Sequence, residues 1–222
     1  SKLRFESALL GSLAIACLFF IAVAAQAEQI TQDYSFAPPL VSSQAVDGQL
    51  YDRVTIEGLT NGGQTGEPSL PQQGAYLLIP YQHEVISVRV EPSLPVLVGE
   101  KLLLEPVSQP FPLSSPPGTR STVEPDPAVY GSADPFPAEP FERIGVQYFR
   151  GFPYLVLKLR PVQYEPQSGN VYYYPRLTVV VETEQAGKAS PMFRGLERDF
   201  ERISRKVDNA EQLMTYNSAR KS

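Results

Sequence analysis

One cysteine, one histidine and no tryptophan occur among the 222 residues. The cysteine, Cys17, lies inside an apolar run near the start, so the rest of the chain has neither a disulfide nor a thiol nucleophile. His83 therefore stands alone. A serine or cysteine hydrolase needs a base beside its nucleophile, and a structural zinc needs four ligands; this chain supplies neither set. His83 sits in the turn Pro80-Tyr81-Gln82-His83-Glu84 between two strand signals, where it reads as a solvated loop residue. Positive charge is also scarce. The net charge of −5, with no basic stripe, excludes nucleic acid or an anionic membrane as the main partner. Glu124 and Asp126 flank Pro125 and read as exposed acids, since a glycosidase pair needs a rigid cleft. No cofactor is expected. An acidic exported domain is compatible with structural calcium, but no ligand set points to one.

What is present begins with a leader. Lys2 and Arg4 precede an apolar run from Ala8 to Ala25, which ends in the small-x-small triplet Ala25-Gln26-Ala27. That pattern predicts export and cleavage after Ala27, with Glu28 as the new N-terminus. A membrane anchor fits less well: Gly11 and Ser12 interrupt the run, and polar Glu28 and Gln29 follow it without basic stop-transfer residues. A lipidated Cys17 is disfavoured because the apolar run continues past it. The expectation is a secreted chain with no stable membrane anchor once residues 1–27 are removed.

Between Gln49 and Glu182 short alternating runs are separated by Gly, Pro and Asn. This predicts an all-β fold, an antiparallel β-sandwich or jelly-roll-like domain over residues 49–185, preceded by an extension at 28–48. Ile86, Val88 and Val90 are expected on one face of a strand, and Leu155, Leu157 and Leu159 on one face of another. The stretch Glu165-Pro166-Gln167-Ser168-Gly169-Asn170 predicts a hairpin turn into Val171–Tyr174 and Leu177–Val181. Tyr172, Tyr173 and Tyr174 could form a stacking platform, but alternation leaves at most two on one surface, and tyrosine is favoured in strands anyway.

Twelve prolines between Glu91 and Pro140 oppose continuous ladders. A strand around Leu102–Leu104 still fits, and residues 105–140 read as a long proline-rich loop. Arg120 is the sole basic residue between Lys101 and Arg143. A restricted loop could present its guanidinium to an acidic pocket at a reduced entropic cost. After Val181 the pattern changes to Met192, Leu196, Phe200, Ile203 and Val207, which predicts an amphipathic helix with Pro191 in its first turn. Residues 186–222 are therefore expected to form a helical linker. It either covers the β domain or leads through the polar tail Asn217–Ser222 to a following domain.

Two stretches carry a family likeness. One is Gly66-Glu67-Pro68-Ser69-Leu70-Pro71; the other is Pro161-Val162-Gln163-Tyr164-Glu165-Pro166, with Gly169 before Val171. In this order, and downstream of a leader, they resemble the G-x-P-x-L-P and P-x-Q-Y-x-P stretches of the N-terminal propeptide of gingipain-type cysteine peptidases, peptidase family C25. The likeness spans about Leu50 to Thr183. It implies a non-catalytic β-sandwich propeptide that inhibits a cognate cysteine peptidase domain, joined in cis, assists its folding and export, and is later removed by proteolysis. Because such peptidases cut after Arg or Lys, Arg120 becomes a candidate inhibitory plug, and Arg220 and Lys221 become candidate release sites on a tail expected to be exposed. Arg205-Lys206 is the rival release site, disfavoured by its place in the predicted helix. No family motif covers Arg120. The competing reading is a secreted β-sandwich binding or adhesion module with no peptidase partner.

Overall fold

In the computed structural model, residues 28–46, 48–108 and 124–221 are described, and the alternating runs become antiparallel strands. A three-stranded sheet has β1 (Glu28–Ser35) and β6 (His83–Pro92) on either side of β12 (Arg176–Gln185). A four-stranded sheet runs in the order β4 (Thr60–Gly62), β5 (Leu70–Leu78), β9 (Phe152–Leu159), β8 (Phe141–Phe149). A small sheet joins β10 (Val162–Glu165), β11 (Asn170–Tyr173) and β7 (Val96–Gly99), and β2 (Leu40–Val46) pairs with β3 (Gln49–Thr55). Ile30, Leu177 and Val179 from the first sheet meet Leu77, Leu155 and Leu157 from the second in one buried cluster, as a sandwich requires.

Leu155, Leu157 and Leu159 share the inner face as expected and are fully buried. The opposite face of β9 is also covered: Phe152, Tyr154 and Val156 form a second cluster with Phe200, Ile203, Val207 and Tyr216. A strand buried on both sides is near-continuously apolar, and β9 reads that way. Its cover is the C-terminal segment, with α2 (Glu197–Ser204) and a 3-10 helix (Ala210–Ala219). Residues 186–221 are thus a third layer on the sandwich.

Three expectations change. Ile86 is 48% exposed, while Val85, Val88 and Val90 pack against the core. A bulge explains this: Glu182 pairs with Ser87 and Thr183 with Val85, so Ile86 is skipped and the alternation changes phase. The stretch 28–48, expected as an extension, supplies β1, which pairs with β12 along its whole length. The predicted helix beginning at Pro191 starts instead at Glu197. Gly195 precedes it at φ +70, where a Cβ would collide with the Ala219 carbonyl, so the chain turns there and docks its own tail. The Glu165–Asn170 turn closes β10 on β11 as expected, and Tyr173 buries its ring and donates to the Phe36 carbonyl at 2.5 Å. That contact gives Tyr173 a structural role.

Candidate functional site

The long proline-rich segment is held at its base by both family-like stretches. Gly66 is buried at φ +90, a conformation glycine adopts without penalty. Its N–H donates to the Val107 carbonyl at 3.0 Å, and its carbonyl accepts from the Asp126 N–H at 2.9 Å. One residue therefore grips the chain before and after residues 109–123. The grip continues along a short ladder: Val107 N–H donates to the Glu67 carbonyl at 2.8 Å, Ser69 N–H donates to the Glu105 carbonyl at 2.8 Å, and Pro68 lies opposite Pro106. Leu70 and Pro71 are buried and lead directly into β5, so the ladder is rooted in the sandwich.

On the returning side Asp126 caps α1 (Pro127–Tyr130), its carboxylate accepting from Ala128 N–H at 2.9 Å, with Pro127 in the first turn. Tyr130 donates to the Leu104 carbonyl at 2.7 Å and lies edge-on to Tyr164, with ring centroids 6.3 Å apart. Burial raises the Tyr130 phenol above its ordinary pKa, so it stays a neutral donor.

The second stretch completes the hold. Tyr164 and Phe136 exchange backbone hydrogen bonds of 2.7 Å in each direction, and the buried Tyr164 hydroxyl donates to the Leu102 carbonyl at 2.9 Å. The Gln163 amide donates to the Pro137 carbonyl at 2.9 Å and accepts from the Tyr174 hydroxyl at 2.8 Å. Pro161 is buried and accepts from Tyr174 N–H at 2.8 Å, while Pro166 begins the turn after β10. Within the region read as a loop, residues 105–107, 126–130 and 136–137 are consequently fixed to the sandwich.

Arg120, Ala25 and Ala27 lie outside the described residues. Glu28 is the first residue of β1, and its carboxylate lies 3.5 Å from His83 Nε2. The other ring nitrogen of His83 lies 2.9 Å from the Tyr81 carbonyl. His83 therefore engages its neighbours at the start of β6, where a solvated loop residue was expected. Among the described residues no three of His, Cys, Asp and Glu converge as a metal site would require, and no helix is long and apolar enough to cross a membrane.

The tail carrying Arg220 and Lys221 is solvent-exposed, and it is also held in place. Arg220 forms a two-pronged pair with Glu197 and lies 4.7 Å from the Phe200 ring centroid, and Lys221 N–H donates to the Gly195 carbonyl at 2.7 Å. Arg205 and Lys206 sit exposed in the turn after α2, so the helix itself does not protect them. Sequence reasoning missed the groups that seat this layer. Asn209 is fully buried and uses both ends of its amide on one residue of β5, accepting from Leu78 N–H at 2.6 Å and donating to its carbonyl at 3.0 Å. Asp208 accepts from the Tyr34 hydroxyl and from Tyr76 N–H, each at 2.7 Å. Tyr216 donates to the Ile79 carbonyl at 2.6 Å. The one available signal was the Asp208-Asn209 break after the apolar period.

Asp199, 1% exposed, receives Arg150 at 2.6 Å and Arg194 at 2.9 Å. Burial alone would raise its carboxyl, but the two arginine hydrogen bonds outweigh burial and hold it below the usual carboxylate range. A depressed folded pKa stabilises the native state above the unfolded value of about 4, and that contribution is lost as pH falls through the folded value. Amide-exchange protection of residues 197–219 is therefore expected to fall below about pH 4. In Asp199→Asn protection should be lower already at neutral pH and should lack this acid step; an unchanged acid step would contradict the assignment.

Comparison with known proteins places this geometry. A model of the Propeptide_C25 family matches residues 22–198. A chain in the complex of Porphyromonas gingivalis RgpB pro- and mature domains is similar at 18% identity and a TM-score of 0.64, over 85% of this chain and 95% of that one. A structure described as giving insight into the zymogenic latency of gingipain K from the same organism is similar at 19% identity and a TM-score of 0.56, over 69% and 86% of the two chains. No curated protein sequence matches significantly. The all-β fold is the one these structures share, and the matched span takes in both stretches that grip the proline-rich segment: the chain belongs to the family of C25 peptidase propeptides.

Proposed function

We propose that this propeptide keeps a C25 cysteine peptidase inactive by presenting the segment 109–123, and Arg120 in particular, to the peptidase's substrate cleft. The precursor is an exported cysteine endopeptidase, and the propeptide acts as its inhibitor and folding partner in cis until proteolysis removes it. The supporting observation is the grip of Gly66 on both ends of that segment, reinforced by Tyr164 and Gln163. A loop whose base is fixed on a sandwich loses less freedom on docking, and a tether makes even modest contacts sufficient. An arginine that binds in a specificity pocket without productive geometry inhibits. The propeptide family match supports a non-catalytic role for the chain itself.

The experiment is inhibition of a C25 peptidase by residues 28–221. Arg120→Ala is expected to weaken inhibition on the order of 100-fold, as removal of a fully paired arginine does, with an unchanged melting temperature. Undiminished inhibition would remove Arg120 from the account, and no inhibition by the unaltered domain would overturn the reading. Release at Arg220 requires the Glu197 and Phe200 contacts to open first. Glu197→Ala is therefore expected to speed cleavage after Arg220, read by mass spectrometry of the products; an unchanged rate would show that docking does not limit this step.

A further inference from the structure

We propose that the outward face of α2, carrying Arg198, Arg202 and Arg205, is a docking surface for an acidic patch of the cognate C25 peptidase, separate from the contact made by the segment 109–123. The identity of the partner rests on the inhibitory role proposed above. The basic face itself rests on the fold alone.

Charge is unevenly divided along the chain. Residues 28–185 carry nine basic and eighteen acidic side chains, a net of −9, whereas residues 186–221 carry eight basic and five acidic ones, a net of +3. The third layer is thus the basic part of an acidic domain. No long run of Lys or Arg marks it in the sequence, because Arg198, Arg202 and Arg205 are four and three residues apart. Helical geometry gathers that spacing on one side. Phe200 and Ile203 turn the other side of α2 into the second cluster, and Asp199 is buried beside them. The three arginines are exposed opposite.

The fold accounts for other cations of the layer. Arg194 pairs with Asp199 and Arg220 with Glu197, while Lys206 lies 5.7 and 5.2 Å from the ring centroids of Tyr76 and Tyr154. Among the described residues Arg198, Arg202 and Arg205 form no ion pair. Glu201 lies among them and offsets one charge, which leaves the face positive. Helix propensity does not call for arginine here, since Gln and Glu serve nearly as well, and like charges at this spacing oppose the helix. The helix dipole favours Arg202 and Arg205 near the C-terminal end but disfavours Arg198 in the first turn. Guanidinium groups gathered at this cost suit a partner that presents carboxylates, with which they form two-pronged pairs.

Position favours the peptidase as that partner. Lys221 N–H donates to the Gly195 carbonyl at 2.7 Å, and Lys221 bridges to Leu196, so the last described residue lies at the N-terminal end of α2. A hollow lined by Leu196, Glu197, Arg198 and Lys221 connects the two. A domain joined in cis at this point starts beside Arg198. Exposed complementary charges act mainly on the rate and orientation of encounter, so α2 orients the peptidase while the loop enters its cleft.

The test measures association of the chain 28–221 with an immobilised C25 peptidase whose catalytic cysteine is replaced by alanine, at low and at high salt. The combined variant Arg198→Glu, Arg202→Glu, Arg205→Glu is expected to associate on the order of 10-fold more slowly at low salt, with the difference largely gone in about 1 M salt. A control reverses the exposed Lys101, Arg143 and Arg176 of the sandwich to Glu, makes the same change in net charge, and should slow association far less. If the first variant loses helix signal by circular dichroism, Arg198→Gln, Arg202→Gln, Arg205→Gln keeps the helix propensity and should show a smaller loss with the same salt dependence. Equal slowing in the control, or an arginine variant that is not slowed, would overturn the inference and leave the inhibitory reading in place. No association by the unaltered chain would overturn both. Binding to vesicles of anionic phospholipid that requires the three arginines, together with unslowed association with the peptidase, would assign the face to a membrane and overturn the inference.

Discussion

Asn209→Ala is expected to destabilise the domain by about 3 kcal/mol, since each buried backbone group left unpaired costs roughly 1–3 kcal/mol. Asn209 is fully buried, and its amide satisfies both the N–H and the carbonyl of Leu78. Alanine supplies neither partner. The loss should be read by urea denaturation and accompanied by faster amide exchange at Leu78 and through residues 208–216. Asn209→Asp should be damaging as well, because it keeps the acceptor for Leu78 N–H but has no donor for the carbonyl. A loss below about 1 kcal/mol in Asn209→Ala would mean that the C-terminal layer is seated by its apolar contacts alone.

The second large effect is expected at Gly66. A side chain at φ +90 is strained, and an added Cβ would lie 3.3 Å from the Glu124 carbonyl oxygen and 3.5 Å from Asp126 N. Gly66→Val should therefore cost about 2–3 kcal/mol, combining left-handed backbone strain with the crowding of a branched side chain. Its effect on inhibition should be larger than its effect on folding. The returning chain at Glu124–Asp126 must move to make room, and displacement of a positioned group by about 1 Å can cost on the order of 100-fold. The informative measurement compares inhibition constants and melting temperatures for Gly66→Val and Gly58→Ala. Gly58 also has positive φ, but open space surrounds its missing Cβ. Similar loss of inhibition in both variants would mean that general destabilisation, and not the grip on the loop, is responsible.

Much of this architecture is legible in the residues. The leucine alternation at 155–159 and the Pro-Gln-Ser-Gly turn at 166–169 signal their strands because period-two burial and turn chemistry are local properties. The bulge at Ile86 is not legible, since it depends on the register of β12 ninety or so residues later in the chain. The incorporation of residues 28–35 into the sheet of β12 and β6 is hidden for the same reason: the partner of β1 lies about 150 residues later in the sequence. The C-terminal segment is readable as amphipathic, but its docking rests on the buried Asp199 and Asn209 and the exposed Asp208, polar residues whose main partners lie in distant strands and turns.

The family-like stretches show a different limit. Gly66, Pro68, Leu70 and Pro71 mark themselves in the sequence, as do Pro161, Gln163, Tyr164 and Pro166. Their physical task is carried mostly by backbone hydrogen bonds to residues 102–107, 126 and 136, and these leave no side-chain signature. Only the fold reveals that both stretches serve one loop. The signals of Arg220 and Lys221 were compositional, and composition does not report that Glu197 and Phe200 hold Arg220 in place.

The most direct test of the account replaces residues 109–123 with a flexible glycine-serine linker of equal length in the chain 28–221, and measures both the melting temperature and inhibition of a C25 peptidase. The account predicts a nearly unchanged melting temperature, because the grip by Gly66 and Tyr164 lies outside the replaced segment, together with a loss of inhibition on the order of 100-fold or more. Full inhibition by the linker variant would contradict it and place the inhibitory contact on the sandwich itself.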